Sequence, residues 1–268
     1  ASGVTSFDTD GFTLGSHGAA NANTTTYVAW QWKASGSTAS NSNGSITSTV
    51  SANTTAGFSI VSYTGTGSNA TVGHGLGVAP KMIIAKKRSA TGTWGVYHES
   101  IGNAKGLFLN STSAQSSEPA FWNSTSPTSS VFSVGTSGDI NGSSATQIAY
   151  CFAEKQGYSK FGNYAGNNNN GNGTFVNTGF SPAFLMVKRY GGGTQNWLIY
   201  DNKRNPFNLT SLNLKPNATT ADATNNGVDL LSNGFKFKSN DGDSNGYSDG
   251  YIYMAFAENP LVGSNFVP

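Results

Sequence analysis

One strand-like segment occurs three times along the chain, and this repetition limits the folds open to it. The three copies occupy residues 27–32 (YVAWQW), 147–152 (QIAYCF) and 251–256 (YIYMAF). A shorter apolar segment precedes each copy, and its phenylalanine stands 15, 15 and 16 positions ahead in the cases of Phe12, Phe132 and Phe235. Constant spacing of this kind marks an internal repeat.

A second set of segments precedes only the last two copies. GFSIVSYTG, APKMIIAKKR and WGVYH of the first unit return in the same order as GYSKFGNYAG, SPAFLMVKR and WLIYD. The sequence therefore predicts two tandem units over residues 57–156 and 157–268. Residues 1–34 hold only the closing half of a third unit, which indicates a fragment or maturation product. We expect this half to dock on the next unit or on another subunit, because an isolated hairpin is marginal in water.

Composition and alternation together predict an all-β fold. Charged residues make up 10%, aromatic residues 12%, and the chain has 34 glycines, a mixture typical of short strands joined by polar turns. Ile148, Tyr150 and Phe152 alternate with small residues, as expected for a strand covered on both faces. We predict two β-sandwich units with jelly-roll-like connections, and an antiparallel hairpin for each short and long strand pair. The uncharged, Ser/Thr/Asn-rich residues 35–56 are predicted to form a flexible linker.

Charge and hydropathy argue against a nucleic-acid-binding protein and against a protein with membrane-spanning helices. The net charge is +2, without the clustered basic residues of a nucleic-acid-binding surface. No apolar run is long enough to predict a membrane-spanning helix. The single cysteine, Cys151, cannot form an internal disulfide and is predicted to lie in the core.

The sequence does not favour an enzyme. The chain has three histidines, and no G-x-S-x-G motif accompanies them. Glu154 and Glu258 occupy equivalent strand ends in separate units, whereas glycoside hydrolysis needs two carboxylates facing one cleft. Lys86 and Lys188 recur in the same way, which suggests a repeated glutamate–lysine pair within each unit.

The loop DGDSNGYSD is the best local match to a metal site. Asp241, Asp243 and Asn245 stand at alternate positions before a glycine, and Asp249 follows. Oxygen ligands in this pattern are used by Ca²⁺-binding loops, but the closing bidentate carboxylate is missing. The residues predict either a Ca²⁺ site or an ordinary polar loop.

Aromatic residues near loops are candidates for stacking on sugar rings. Trp94 and Trp197 occupy equivalent strand positions, which favours a packing role for both. Trp122 and Tyr190 have no such equivalents. The candidate glycan contacts are Trp122, Tyr190 and His98.

The repeated segments, from GFSIVSYTGTGSNATVGHGLGVAPKMIIAKKR to YIYMAFAENP, resemble the repeated uncharacterised domain of tail-fibre-like and other virion-associated proteins of tailed bacteriophages, many of them marine. The resemblance covers nearly the whole chain and implies a β-rich structural protein of the virion, usually oligomeric. The expected function is a tail fibre, spike or capsid-surface projection that contacts host-surface glycans, with a homotrimer and other virion proteins as partners. The alternatives are a capsid-decoration or fibre-shaft protein without a ligand, and a polysaccharide-degrading enzyme.

Overall fold

The computed structural model describes residues 2–258 and shows an all-β protein built from antiparallel sheets. The predicted fold class is confirmed. The chain divides into two compact parts at residues 33 and 34, and each part is described separately. No helix of the described residues is long and apolar enough to cross a membrane.

The larger part holds two repeats, each with a main sheet and a smaller one. The strands of the first repeat, with the segment before it, are β3 (Ala39–Asn41), β4 (Ser48–Asn53), β5 (Phe58–Thr64), β6 (Ala70–Gly73), β7 (Met82–Lys87), β8 (Trp94–His98), β9 (Lys105–Phe108), β10 (Ser116–Ser117), β11 (Val131–Val134) and β12 (Thr146–Phe152). The strands of the second repeat are β13 (Ser159–Tyr164), β14 (Phe175–Asn177), β15 (Pro182–Arg189), β16 (Trp197–Asp201), β17 (Val228–Leu231), β18 (Gly234–Phe237) and β19 (Tyr251–Ala257). Short helical turns lie at Glu99–Ile101, at α2 (Pro119–Trp122) and at α3 (Gly138–Asn141).

The two repeats share one strand order. In the first, the neighbours β5-β12-β7-β8 form the centre of an eight-stranded sheet, and β6 pairs with β11 separately. In the second, the corresponding order is β13-β19-β15-β16, with β14-β18-β17 as the smaller sheet. Each smaller sheet shares a hydrophobic core with its main sheet, so each repeat is a two-layer sandwich.

The short and long strands of each copy do not form the predicted hairpin. β11 pairs with β6, whereas β12 lies between β5 and β7 in the other layer. The apolar residues of the short strand cover the main sheet, so this strand must lie in the opposite layer. The connecting loop contains the helical turn α3.

The prediction of a flexible linker over residues 35–56 is wrong where this segment forms β3 and β4. β4 pairs with β5 along the main sheet. Ile46, Ser48 and Val50 are buried and alternate with exposed residues, which is the pattern of a strand with one face on the core. The alternation is weak in the sequence because one of the buried positions is a serine.

The smaller part, residues 2–33, contains β1 (Val4–Phe7), β2 (Phe12–Leu14) and the helical turn α1 (Gly18–Asn21). β2 pairs with β1, not with the predicted strand at residues 27–32, which lie outside any strand. In the full repeats the equivalent strand is held between two others, and residues 2–33 contain no counterpart of those neighbours.

The cores of the two repeats are built alike. Phe132 is 1% exposed and its ring lies 6.0 Å from that of Tyr63. Phe235 is fully buried, with its ring 6.0 Å from that of Tyr164. Cys151 is buried in the first core, which confirms its predicted position.

A buried asparagine fixes the same loop in both repeats. The Asn141 amide oxygen accepts from the backbone N–H of Thr66 at 2.9 Å, and its nitrogen donates to the carbonyl of Gly135 at 2.6 Å. The Asn245 oxygen accepts from the N–H of Asn167 at 3.2 Å, and its nitrogen donates to the carbonyl of Ser239 at 2.9 Å. These bonds join the loop before the last strand to the end of the first strand.

Candidate functional site

Two of the three predicted glycan contacts lie in the interior. Trp122 is 1% exposed, and its ring meets Tyr97 edge-on at 5.8 Å. His98 is fully buried, and its imidazole bonds the Tyr253 carbonyl and the Ser100 N–H, both at 3.2 Å. The interpretation of both residues as exposed sugar contacts is wrong. Trp122 ends the short helix α2, whose apolar residues face the first core.

The third predicted contact, Tyr190, is partly exposed and follows the end of β15. A Cβ atom placed on Gly250 would lie 2.4 Å from the Tyr190 hydroxyl, and Gly250 has a φ of +109°. Gly250 therefore leaves room for the phenol of Tyr190 against the backbone. The backbone N–H of Tyr190 also donates to the Gly250 carbonyl at 3.1 Å. These two contacts define the position of Tyr190.

Arg189 and Asp249 form the charged centre beside Tyr190. The guanidinium donates to both carboxylate oxygens, at 2.9 Å from Nε and 2.5 Å from Nη2. This fork geometry fixes both groups. The bond to Arg189 lowers the pKa of Asp249, so the carboxylate stays ionised. The Asp249 side chain is 40% exposed, whereas that of Arg189 is 9% exposed.

Tyr247 completes this surface. The Arg189 guanidinium carbon lies 3.6 Å from the centre of the Tyr247 ring, a cation–π contact. Tyr247 is still 41% exposed. Gln195 lies beside Tyr247, and both residues pack against Gly242. A Cβ placed on Gly242 would lie 2.7 Å from the edge of the Tyr247 ring and 2.9 Å from the Gln195 amide nitrogen. We call Arg189, Tyr190, Gln195, Tyr247 and Asp249 the tyrosine–arginine patch.

The patch contains two tyrosines, a carboxylate, an amide and a guanidinium. An exposed aromatic face can pack on the C–H face of a sugar ring, while the polar groups bind its hydroxyls. Tyr190 was predicted from sequence as a glycan contact and Asp249 as a metal ligand, whereas Tyr247, Arg189 and Gln195 were not predicted. The available signal was Tyr247 itself, an aromatic residue within the polar loop DGDSNGYSD.

The predicted metal ligands are engaged by protein donors. Both Asp243 oxygens accept from Asn196, at 2.6 Å from the backbone N–H and 3.0 Å from the side-chain amide. Asp241 accepts from the Asp243 N–H at 2.8 Å, while the oxygen of Asn245 accepts from backbone N–H groups.

Asp249 faces Arg189, and no group of three or more His, Cys, Asp and Glu side chains that could hold a metal occurs among residues 2–258. A Ca²⁺ ion at this loop stays a prediction, and these contacts count against it because N–H donors already occupy the ligand oxygens.

Asp241 performs a local structural function that recurs in all three copies. Its side chain accepts from the N–H two residues later, as do Ser137 at Asp139 and His17 at Ala19. These are capping bonds at the start of a short turn. The Asp-rich loop is thus the second repeat's version of a turn that the other copies build with other side chains.

The remaining candidates for catalysis are also held in structural contacts. Glu154 pairs with Lys160 and Glu258 with Lys203, so the predicted repeated pairing with Lys86 and Lys188 is wrong. His74 is buried, and both ring nitrogens are bonded, to the Thr128 carbonyl and the Leu76 N–H.

The family model for a domain of unknown function, DUF7483, matches residues 1–260. The chain belongs to the DUF7483 family. No curated protein and no solved structure matches the chain. The DUF7483 family is a family of unknown function.

Proposed function

We propose that this DUF7483 protein is a non-enzymatic structural and adhesion protein of a bacteriophage particle that binds host-surface glycans through the tyrosine–arginine patch. The observation that carries the glycan site is Tyr247, which is held by Arg189 at 3.6 Å and is still 41% exposed. Holding an aromatic ring in place before binding lowers the entropy cost of the contact. The phage assignment comes from the resemblance of the repeated segments.

The surrounding structure supports a binding surface in preference to a catalytic one. The carboxylate in the patch, Asp249, is paired with Arg189 through both oxygens, which leaves it unsuited to accept or donate a proton at neutral pH. An ionised carboxylate such as that of Asp249 can still accept hydrogen bonds from the hydroxyl groups of a ligand. The two sandwiches supply a scaffold on which the patch is fixed by main-chain and side-chain bonds.

The test is binding of the intact protein to an array of purified bacterial surface polysaccharides and their oligosaccharides. We expect at least one glycan to bind, and Tyr247→Ala to weaken that binding by about tenfold, which corresponds to about 1.4 kcal/mol. Tyr27→Ala is the matched control, because Tyr27 is 46% exposed and lies outside the patch.

Two results would decide against this function. Failure of the intact, correctly assembled protein to bind any glycan would favour a capsid-decoration or fibre-shaft role. Shortening of a bound polysaccharide would favour the enzyme alternative. A homo-oligomer, with a trimer favoured, is part of the proposal, and a monomeric mass by light scattering would remove that part.

A further inference from the structure

The first repeat has different side chains at the positions of the tyrosine–arginine patch. The ends of β7 and β15 make the same backbone hydrogen bond near the start of the last strand of their sheets, at 2.8 and 3.1 Å, which aligns the repeats residue by residue. The positions of three patch residues, Tyr190, Tyr247 and Asp249, are occupied in the first repeat by Arg88, Ser143 and Ala145. Both repeats have the same strand order, so the shared fold does not require the two tyrosines and the aspartate.

Three consecutive glycines follow Tyr190 and lie beside the charged pair of the patch. A Cβ on Gly191 would lie 2.3 Å from the Asp249 carboxyl carbon, so the close approach of this carboxylate requires glycine. Gly192 has no such constraint, because a Cβ there would meet no atom within 4 Å and its φ lies outside the left-handed range. Gly192 is exposed. The result is a stretch of bare main chain that a ligand can approach closely.

A loop of the first repeat borders the patch on the side of Tyr190. We call residues 111–115 the junction loop. The Gln115 N–H donates to the Tyr190 carbonyl at 3.2 Å, and the Gln195 N–H donates to the Thr112 carbonyl at 2.9 Å. Two patch residues are thus held by the backbone of the other repeat, and the junction loop lies directly beside them.

Among the residues that form this surface, the exposed charge is negative. The Lys188 amine is buried and donates to the Thr112 carbonyl at 2.8 Å. The Arg189 side chain is 9% exposed and lies against the Tyr247 ring, whereas the Asp249 side chain is 40% exposed. An acidic polymer would therefore face a carboxylate and not the two cations, and like charges at an interface cost binding energy. An uncharged chain of hydroxyl-bearing rings meets no such repulsion.

We propose that the patch and the junction loop together bind a stretch of an uncharged polysaccharide, which crosses Gly191–Gly193 and contacts both repeats. One sugar ring packs on Tyr247, and the following rings pass over the bare main chain to Tyr190 and Gln115. The inference rests on the proposed glycan-binding function and specifies its ligand as extended and neutral. The two repeats then have different tasks, because the first contributes a wall of the site and the second contributes the aromatic contact.

The test measures binding of the intact protein to uncharged and to uronic-acid-containing bacterial surface polysaccharides. Oligosaccharides of the bound polymer are then compared in order of length, with saturation-transfer NMR for the weakest. We expect binding to the uncharged class. The affinity should rise by about tenfold from the monosaccharide to the tetrasaccharide and then level off, because further rings lie beyond the junction loop.

Gly192→Leu and Gln115→Ala separate this ligand from a single sugar on Tyr247. Leucine at position 192 occupies the path of the chain and should weaken tetrasaccharide binding by about tenfold, and Gln115→Ala should weaken it by about threefold. Neither should change the affinity for the monosaccharide. Gly36→Leu is the matched control, because a Cβ on Gly36 also meets no atom within 4 Å and Gly36 lies outside this surface. Thermal unfolding of each variant verifies that the fold is intact.

Three results would overturn the inference, and only the first would also remove the proposed function. The first is the absence of binding to every polysaccharide of both classes. The second is binding that Tyr247→Ala weakens but that Gly192→Leu and Gln115→Ala leave unchanged, which would place the whole ligand on the patch. The third is a preference for the uronic-acid-containing class, which would show that the ligand is acidic.

Discussion

The imidazole of His98, in the first repeat, donates a hydrogen bond from Nε2 to the backbone carbonyl of Tyr253, in the second, at 3.2 Å. Nδ1 accepts from the Ser100 N–H at 3.2 Å, so the two contacts require the neutral ring. Burial lowers the pKa of His98 to about 4. A residue that sequence analysis assigned to a glycan surface therefore joins the two repeats.

This arrangement predicts acid sensitivity at the junction. His98 titrates near 6.5 when unfolded and near 4 when folded, so the unfolded state binds more protons as the pH falls. The free energy of unfolding should decrease by about 2–3 kcal/mol between pH 8 and pH 4.5 through this residue. His98→Gln, which does not titrate, should lose that part of the pH dependence in urea titrations, whereas His17→Gln should retain it. Parallel pH profiles for wild type and His98→Gln would contradict the assignment.

Lys188 gives a pH dependence of the same sign as His98, but in a more alkaline range. It is fully buried and donates from Nζ to the carbonyls of Thr112 and Gln195, at 2.8 and 2.5 Å. Burial lowers its pKa to about 8, and the neutral amine still has two N–H groups for these two acceptors. Because the unfolded chain binds the extra proton above pH 8, the free energy of unfolding should rise with pH.

The expected gain from Lys188 is about 1.5 kcal/mol between pH 8 and pH 9.5. Other groups titrate in this range, so the measured quantity is the difference between wild type and Lys188→Met at each pH. Lys203→Met is the control, because the Lys203 side chain is 73% exposed. A constant difference across the range would show that Lys188 keeps an ordinary pKa when folded.

The repeated strands could be predicted from sequence because their alternation and spacing are strong signals. The layer assignment could not, since β11 and β12 are adjacent in sequence yet pair with β6 and β5. Which strand lies beside which depends on the packing of distant apolar faces, and a hairpin has the same local pattern. The segment around Val50 was missed for a related reason, because its alternation uses serine as well as apolar residues.

The candidate site was less accessible to sequence analysis than the fold. Trp122 and Tyr247 both lie in polar surroundings along the chain, but Trp122 is 1% exposed and Tyr247 is 41% exposed. Burial follows from tertiary contacts such as that of Trp122 with Tyr97, which the linear sequence does not show. The pairing of Arg189 with Asp249 spans 60 positions and is equally hidden.

The buried asparagines should be the most costly polar residues to remove. Asn141→Ala and Asn245→Ala each leave at least one buried N–H and one carbonyl without a partner, at about 2–4 kcal/mol. Asn21→Ala is the control within the third copy, where the equivalent bond is exposed, and should change the free energy of unfolding by less than about 0.5 kcal/mol. Equal and small effects at all three positions would show that water replaces these side chains.

The phenylalanines of the three copies test whether equivalent positions share their energetics. Phe132 and Phe235 are 1% and 0% exposed in closed cores, so each substitution by alanine should lower the free energy of unfolding by about 3–5 kcal/mol. Phe12 occupies the same place in the closing half but is only partly buried, and Phe12→Ala should leave thermal unfolding of residues 34–258 unchanged. Calorimetry of the three variants provides the measurement. A large loss of stability from Phe12→Ala would contradict this expectation and show that Phe12 contributes to a closed core as Phe132 and Phe235 do.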